Sequence, residues 1–523
     1  MNRRTFLKGA GVPSLVLSAL ISVAAPARAD VKLPAVFGNH MVLQQKQADK
    51  VWGKADSGEE VTVTIAGQTK TTKADDNGKW SVTLDPLKAG GPHALTVKGK
   101  NTVTFDDVLV GEVWICSGQS NMQWDLGQAN DGDLEVLAAN FPKIRLISVP
   151  QLGTQEPKDD FQGQWELCTP ATAKGFSAVG FLFGRQLYQT LDVPIGLIDD
   201  AWGGSAAEAW VRRDLLEKDE KYKGLIDRWV ALEKDQDALK AKYEEAIEKH
   251  KAAVAKAKEE DKPAPRAPQS PSGLMNGNSR PGNIYNGVLK PTIGYGVKGA
   301  IWYQGESNAS RAYQYRDLFP LMIQSWRDEW GIGDFSFYWV QLADFMAEKS
   351  EPGESQWAEL REAQTMTMSK LKNTGQAVII DIGEGQDIHP RNKQDVAKRL
   401  VRWALAKDYG VKIPYQSPTY SSMEVKDDKI IVTIDNTAGG LKAYDFPEVK
   451  GFTIAGKDKK FYKATAKLVG NDKVEVSAEQ VSEPVSVRYA WADNPLCNLY
   501  GKDGLPLTPF RTDDWAGVTA EAK

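Results

Sequence analysis

"VWICSGQSNMQW", Val113 to Trp124, decides how the chain is read. It begins as an apolar run, breaks at Ser117-Gly118, and sets Ser120 beside Asn121 where a helix can start. An apolar strand, a tight glycine turn and a helix start make one βα step of a parallel sheet. The turn leaves Ser120 at the carboxyl end of the strand, the edge where open α/β sheets hold ligands. Two roles fit such a serine. It is a nucleophile, with helix N–H groups ready for a developing oxyanion, or its hydroxyl caps the helix. The G-x-S-x-G elbow of α/β hydrolases is not met, because Met122 stands where the second glycine belongs.

The same alternation continues outward. "LVGEVWICSG", "KIRLISV", "PIGLIDDAW", "VKGAIWYQ", "FSFYWVQLA" and "QAVIIDIG" read as strands. Between them "AVGFLFGRQLYQTL", "YRDLFPLMIQSWRDEW" and "NKQDVAKRLVRWALAK" carry helical periodicity. Residues 109–413 therefore predict a parallel sheet with helices on both faces. An insertion at about 214–268 interrupts it. Asp214 to Asp261 is rich in Lys, Glu and Ala with sparse apolar positions, as in one or two solvated helices, and "KPAPRAPQSPSG" follows as an extended linker. On either side the pattern is β. Residues 30–108 hold "EEVTVTIAG" and "WSVTLDPL" around the turn signal "DDNGKW", and residues 414–523 hold "KIIVTIDN", "KVEVSAE" and "VSVRYAWAD".

Bulk properties narrow the function. The 523 residues carry a formal net charge of −4 with no basic block beyond the N-terminus, which argues against a nucleic-acid partner. Residues 1–29 read as an export signal: Arg3-Arg4, an apolar stretch from Val12 to Ala25 too short to span a bilayer, and small Ala27 and Ala29 before a cut at Asp30. The arginine pair followed by "TFLK" resembles a twin-arginine signal. The mature protein is expected in the periplasm or outside the cell, with no membrane partner. Three cysteines, Cys116, Cys168 and Cys497, allow at most one disulfide and match no zinc spacing.

A serine nucleophile needs a base, and the chain has only four histidines. His40 and His93 fall in the N-terminal β region, His93 in an expected β-turn, and His250 falls in the charged insertion. His389, in "GEGQDIHPRNKQ", follows an α/β strand and precedes a helix, so elimination points to it. "WYQGESN" (Trp302–Asn308) crowds Gln304, Glu306 and Asn308 into another strand end, where amides can donate to an oxyanion and a carboxylate cannot. "DDAWGGSAAEAW" adds Gly203-Gly204, whose Gly204 N–H is a candidate second donor. Each turn alone is an ordinary strand–helix connection; four polar or glycine-rich turns at one sheet edge are not.

Together, "SGQSNM", "WGGSAAEAW", "WYQGESN" and "DIHPRNKQDVAKRL" resemble the motif blocks of the sialate O-acetylesterase family of SGNH (GDSL-like) hydrolases. The likeness extends to "MVLQQ", "NIYNGVLKP" and "GLPLTPFRTDDW", nearly the whole mature chain. It implies an SGNH-type doubly wound sheet flanked by small β-sandwich-like domains. It also implies a carbohydrate esterase that removes O-acetyl groups with no metal or cofactor. Ser120 would be the nucleophile and His389 the base. Ser120 N–H, Gly204 N–H and the side chain of Gln304 or Asn308 would form the oxyanion hole. Gln119, Asn121 and Glu306 would line the substrate. Many SGNH enzymes place an aspartate three residues before the histidine; here that position is Gln386, and Asp387 stands two before. Asp387, Asp381, Glu384 or a backbone carbonyl would then orient His389.

Two rival readings remain. Asp381, Glu384, Asp387 and His389 could ligate a metal, although a single histidine makes a zinc site weak. A catalytically dead body with glycan-binding β domains is the other. The chain has 16 tryptophans. Trp114, Trp124, Trp202, Trp210 and Trp302 flank the motifs; most are expected in the core and one or two against a sugar. The acetylated carbohydrate is a sialic acid by the family likeness, and an acetylated plant or algal polysaccharide fits the same scaffold.

Overall fold

Val61, Val63 and Ile65 alternate with Glu60, Thr62 and Thr64, and the pleat turns the apolar set inward. The computed structural model, which describes residues 30–522, shows this alternation organising the N-terminal strands. They are β1 (Val42–Gln44), β2 (Lys50–Lys54), β3 (Glu60–Ile65), β4 (Gln68–Lys73), β5 (Lys79–Thr83) and β6 (Gly90–Lys98). His93 lies within β6 rather than in the expected turn. The export segment expected at residues 1–29 lies outside the described residues. No helix among the described residues is long and apolar enough to cross a membrane.

The long strand β7 (Thr102–Gly118) joins the two parts of the molecule. Its first half pairs antiparallel with β6 and parallel with β1. Its second half enters the central sheet. The expected border at 108/109 therefore falls inside one strand. The central sheet adds β8 (Phe141–Ser148), β9 (Glu166–Cys168), β10 (Ile195–Asp199), β11 (Gly299–Tyr303), β12 (Ser336–Val340) and β13 (Thr374–Ala377). Across the sheet the order is β13-β12-β11-β7-β10-β8-β9, parallel throughout except for β9 at one edge. The chain runs from β7 to β8 and back to β10 on one side, then crosses to β11, β12 and β13 on the other. The direction of winding reverses between β7 and β11, which opens a crevice at their carboxyl ends.

Alternation along β7 divides the core. Trp114 and Cys116 face the layer of α2 (Ala178–Leu191) and α7 (Lys393–Lys407), the first helix of the core, α1, being Ser120–Gln123. Val113 and Ile115 face the layer of α5 (Ala312–Trp330) and α6 (Gln356–Lys370). Every residue of β11 and β12 is buried, as a sheet covered on both faces requires. The helices start on side-chain caps. Ser177 accepts from Gly180 N, Ser355 from Ala358 N, and Asn392 from Asp395 N. All three cysteines are free thiols.

The charged insertion forms α3 (Lys223–Lys234) and α4 (Gln236–Glu259), separated at Asp235. Leu225, Ile226 and Trp229 dock α3 on the body, whereas α4 buries nothing. The C-terminal strands form two four-stranded antiparallel sheets, residues 419–477 and 452–511 supplying them, over a shared core that includes Ile430, Val432, Ile454, Val476 and Val487.

Candidate active site

Gly118 makes the turn that exposes Ser120. Its φ is +132°, and a Cβ there would lie 2.2 Å from Tyr303 O on the adjacent strand. Only glycine lets β7 and β11 approach this closely at the turn. Gln119 follows, its N–H donating to Tyr303 O at 2.8 Å. Gln119 is the N-cap of α1 and makes no side-chain cap bond; Ser120 is the first helical residue and not the cap. Its hydroxyl lies 2.8 Å from His389 Nε2.

His389 comes from the long segment after β13. Several bonds hold that segment over α1. Asp344 Oδ1 accepts from Gly383 N at 2.7 Å, and Asn121 Nδ2 donates to Ile388 O at 2.9 Å. Asp387 Oδ1 accepts from His389 N at 2.9 Å. The imidazole stacks on Trp124, with centroids 5.0 Å apart and planes at 19°. Burial and the nearby positive charge of Lys393 lower the His389 pKa, with Asp387 opposing them. The ring is therefore neutral at neutral pH and able to accept a proton.

Asp387 reaches the ring loosely. Its Oδ1 stands 3.6 Å from His389 Nδ1, and its side chain is 43% exposed. The other candidate orienters are engaged elsewhere. Asp381 binds Arg399 through both oxygens, at 2.5 and 2.8 Å. Glu384 Oε1 accepts from Arg391 N at 2.8 Å. With Asp381 turned to Arg399, the acidic set does not converge as metal ligands would.

The Gly203-Gly204 turn lies directly on the serine, since a Cβ at Gly203 would sit 3.3 Å from Ser120 Cβ. Trp202 N donates to Gly118 O at 3.0 Å, Gly203 N to Gln123 Oε1 at 2.7 Å, and Asn278 Nδ2 to Gly203 O at 2.6 Å. Gly204 has φ +72° and is exposed, and its N–H has no partner among the described residues.

Several expectations change at the third strand end. Gln304, considered for the oxyanion hole, is fully buried, and its Nε2 donates to Ser205 O at 3.0 Å and Asn308 Oδ1 at 2.7 Å. Both amide hydrogens are used, so Gln304 holds Asn308 rather than a substrate. Asn308 gives one hydrogen to Glu208 Oε2 at 2.8 Å and keeps the other. Gln119 and Asn121, expected to line the substrate, are 3% and 1% exposed. Asn121 Nδ2 donates to Glu306 Oε1 and Ile388 O, each at 2.9 Å, and its Oδ1 accepts from Lys393 Nζ at 2.5 Å. That leaves it no polar group free for a sugar. The Glu306 carboxylate is turned inward to the same amide, its Oε2 buried without a partner among the described residues, and burial raises its pKa. Of the flanking tryptophans, Trp114, Trp210 and Trp302 are core, while Trp124 and Trp202 are half-buried beside the serine.

Lys393, the first residue of α7, is a site residue that the sequence reading passed over. It is fully buried, and burial pushes its pKa down to about 7, with Glu306, Glu384 and Asp387 opposing that shift. Its spacing four residues after His389 was the available signal, but a lysine at a helix start reads as solvated.

The other histidines are remote from this geometry: His40 pairs with Asp107 at 2.7 Å, and His250 lies on α4.

Comparison with known proteins places this arrangement. The profile of the family described as carbohydrate esterase, sialic acid-specific acetylesterase matches residues 110–256 and 279–398. The sialate O-acetylesterase of Mus musculus is 30% identical, over 95% of this chain and 97% of its own. That of Rattus norvegicus is 32% identical, over 90% of this chain and 92% of its own. The crystal structure of a carbohydrate acetylesterase from Xanthomonas citri superposes with a TM-score of 0.78 at 37% identity, covering 93% of this chain and 100% of that one. The chain belongs to the carbohydrate esterase family of sialic acid-specific acetylesterases and is a carbohydrate acetylesterase, a carboxylic ester hydrolase.

Proposed function

We propose that the enzyme removes O-acetyl groups from sugars through an acetyl-enzyme on Ser120, with His389 as the base. The observation that carries this is the 2.8 Å contact between Ser120 Oγ and His389 Nε2 at the switch point of the sheet. Neutral His389 takes the Ser120 proton as Oγ attacks the acetyl carbonyl carbon. The negative oxygen that results needs donors. The Ser120 N–H opens a helix and has no intrahelical partner. The Gly204 N–H and the remaining Asn308 amide hydrogen complete the set. Each such donor is typically worth roughly 3 kcal/mol in the transition state. The carbon–oxygen bond to the sugar then breaks, and His389 returns its proton to the leaving sugar oxygen. Water, deprotonated by the same ring, attacks the acetyl-enzyme and releases acetate and free Ser120. Asp387 steadies the His389 backbone and faces Nδ1, favouring the tautomer whose Nε2 accepts. Trp202, half-buried beside the serine, offers the aromatic face for a sugar ring, the Trp124 ring being covered by His389.

The relatives are named sialate O-acetylesterases, so O-acetylated sialic acids are the leading substrate class. Hydrolysis of a chromogenic acetate ester by the parent, Ser120→Ala and His389→Ala tests the chemistry. Acetate release from O-acetyl sialic acids against acetylated xylan tests the sugar. Both variants are expected near background, and full activity in Ser120→Ala would refute the mechanism. Dialysis against a chelator is expected to leave the rate unchanged. Residues 1–29 support export through Arg3-Arg4 and a cut before Asp30, and the N-terminal mass of the secreted protein tests that.

A further inference from the structure

Asn121, Trp124, Tyr303, Glu306 and His389 converge on one buried ammonium group. Lys393 Nζ donates to Asn121 Oδ1 at 2.5 Å and lies 5.6 Å from the Trp124 ring centre and 5.4 Å from that of Tyr303. Among the described residues no carboxylate pairs with it within 4 Å, and the Asn121 amide stands between Lys393 and Glu306. The amide is therefore polarised from both ends. With Oδ1 held by a cation, Nδ2 must point at Glu306 Oε1 and Ile388 O, and Ile388 immediately precedes the base. Trp124 is also shared: His389 stacks on it at 5.0 Å, and Lys393 lies over the same ring.

We propose that Lys393 is a positioning residue for His389. Through Asn121 it ties the His389 segment to the Ser120 helix, and through its charge it keeps the imidazole deprotonated. This rests on the reading of His389 as the base. The groups facing Lys393 come from every element around it. Asn121 belongs to α1 and Trp124 is its C-cap, Tyr303 belongs to β11 and Glu306 to the turn after it, and Glu384, Asp387 and His389 to the segment before α7. The carboxylates of that segment are open to solvent, whereas Lys393 is enclosed. With a pKa of about 7, Lys393 carries its proton in the range below 6.5 where His389 titrates, so its charge is present when it matters. A positive charge near the ring disfavours imidazolium and extends activity toward lower pH.

The test is the pH profile of kcat/KM for a small acetate ester in Lys393→Met and Lys393→Gln, with folding checked by circular dichroism and thermal midpoint. Methionine fills the space with neither charge nor donor. Glutamine restores a donor toward Asn121 Oδ1 without the charge. In both variants the acid limb is expected to move up by about 0.5 pH unit or more, roughly a threefold loss on the acid side. On the plateau, Lys393→Met is expected to lose kcat at least tenfold with little change in KM, and Lys393→Gln to recover part of that loss. An acid limb that stays at the parent position in both variants overturns the proposal, whatever the plateau does, because a space-filling role would not touch the limb. If Lys393→Met does not fold, Lys393→Met with Glu306→Gln removes the stranded carboxylate and carries the same limb measurement. A parent-like limb with an inactive His389→Ala refutes the role of Lys393 alone, while an active His389→Ala refutes the underlying mechanism.

Discussion

Replacing Gly118 with alanine puts one methyl group where the sheet has no room. The added Cβ would stand 2.2 Å from Tyr303 O, 2.7 Å from Tyr303 C and 2.8 Å from Tyr303 N, all backbone atoms. Ordinary contacts between such atoms begin near ~3.5 Å, so the strands must part by roughly 1 Å. The bond from Gln119 N to Tyr303 O, 2.8 Å in the parent, is lost or stretched, and a net contribution of about 1 kcal/mol goes with it. Holding alanine at φ +132° adds of order 1–3 kcal/mol. With the residual overlap, Gly118→Ala is expected to lose about 3–5 kcal/mol of stability. Ser120 lies two residues on, and a displacement near 1 Å at a reacting group costs about 10²-fold in rate. Urea unfolding and acetate-ester hydrolysis of the folded fraction measure the two effects. Gly58→Ala is the control: φ is +73°, nothing lies within 4 Å, and only the backbone strain of roughly 1–2 kcal/mol applies. A Gly118→Ala protein as stable as Gly58→Ala, with parent activity, would refute the close-approach argument.

The acid limb of parent kcat/KM is expected below pH 6.5, the ordinary imidazole value, because burial and Lys393 both disfavour the charged ring; a limb above it contradicts the burial of His389. Asp387→Asn is expected to lower kcat by about tenfold to a hundredfold, well short of the ~10⁴ seen where a buried aspartate bonds the ring directly, since here the separation is 3.6 Å and the carboxylate half open to water. The Asp513 side chain, 1% exposed, accepts from Arg488 at 2.8 and 2.9 Å and faces Arg511; Asp513→Ala leaves Arg488 with Glu354 and Arg511 with Glu362, and is expected to cost about 1.5–3 kcal/mol by urea unfolding. Burial alone would raise the Asp513 pKa, but Arg488 and Arg511 overcome it and hold it below 3.8. Its contribution in the parent is therefore full above that value and lost as the pH falls through the lower folded value, a dependence that Asp513→Ala should remove.

The strand, glycine turn and serine of "VWICSGQSN" were legible because each rests on a local rule: apolar residues bury, and a turn this tight needs glycine. The border inside β7 was not. Thr102 to Asp107 alternates as a one-faced strand does, and Val108 to Cys116 is buried throughout and apolar but for Glu112, as in a two-faced strand. The two patterns look like two elements, yet one strand leaves one sheet and enters another. Gln304 shows a second limit. An amide just past a strand end has the same sequence signature whether it faces substrate or closes a buried network, and only the positions of Ser205 and Asn308 settle which. Asn121 and Lys393 fail together for that reason. Their importance lies in meeting each other across 272 residues of chain, which no periodicity records.

The two members of the proposed catalytic pair, Ser120 and His389, are held in different ways. Ser120 follows directly from β7 in the middle of the sheet, and its place is set by the strand register Tyr303↔Gly118. His389 follows β13, three strands away in the order β13-β12-β11-β7, so its segment must return across roughly 14 Å of sheet edge. A loop making that crossing has no ladder to fix it. It is fastened instead at points: Asp344, beyond β12, holds Gly383, and Asn121, on the serine's own helix, holds Ile388. Substitutions in the strands should therefore act on stability and rate together, as at Gly118. Substitutions at the fastenings should spare the fold and act on the rate through the placement and protonation of one imidazole. Asn121 belongs to both sets, since it sits next to Ser120 and grips the carbonyl before His389, and this explains why a residue with the wording of a substrate ligand is buried out of a substrate's reach.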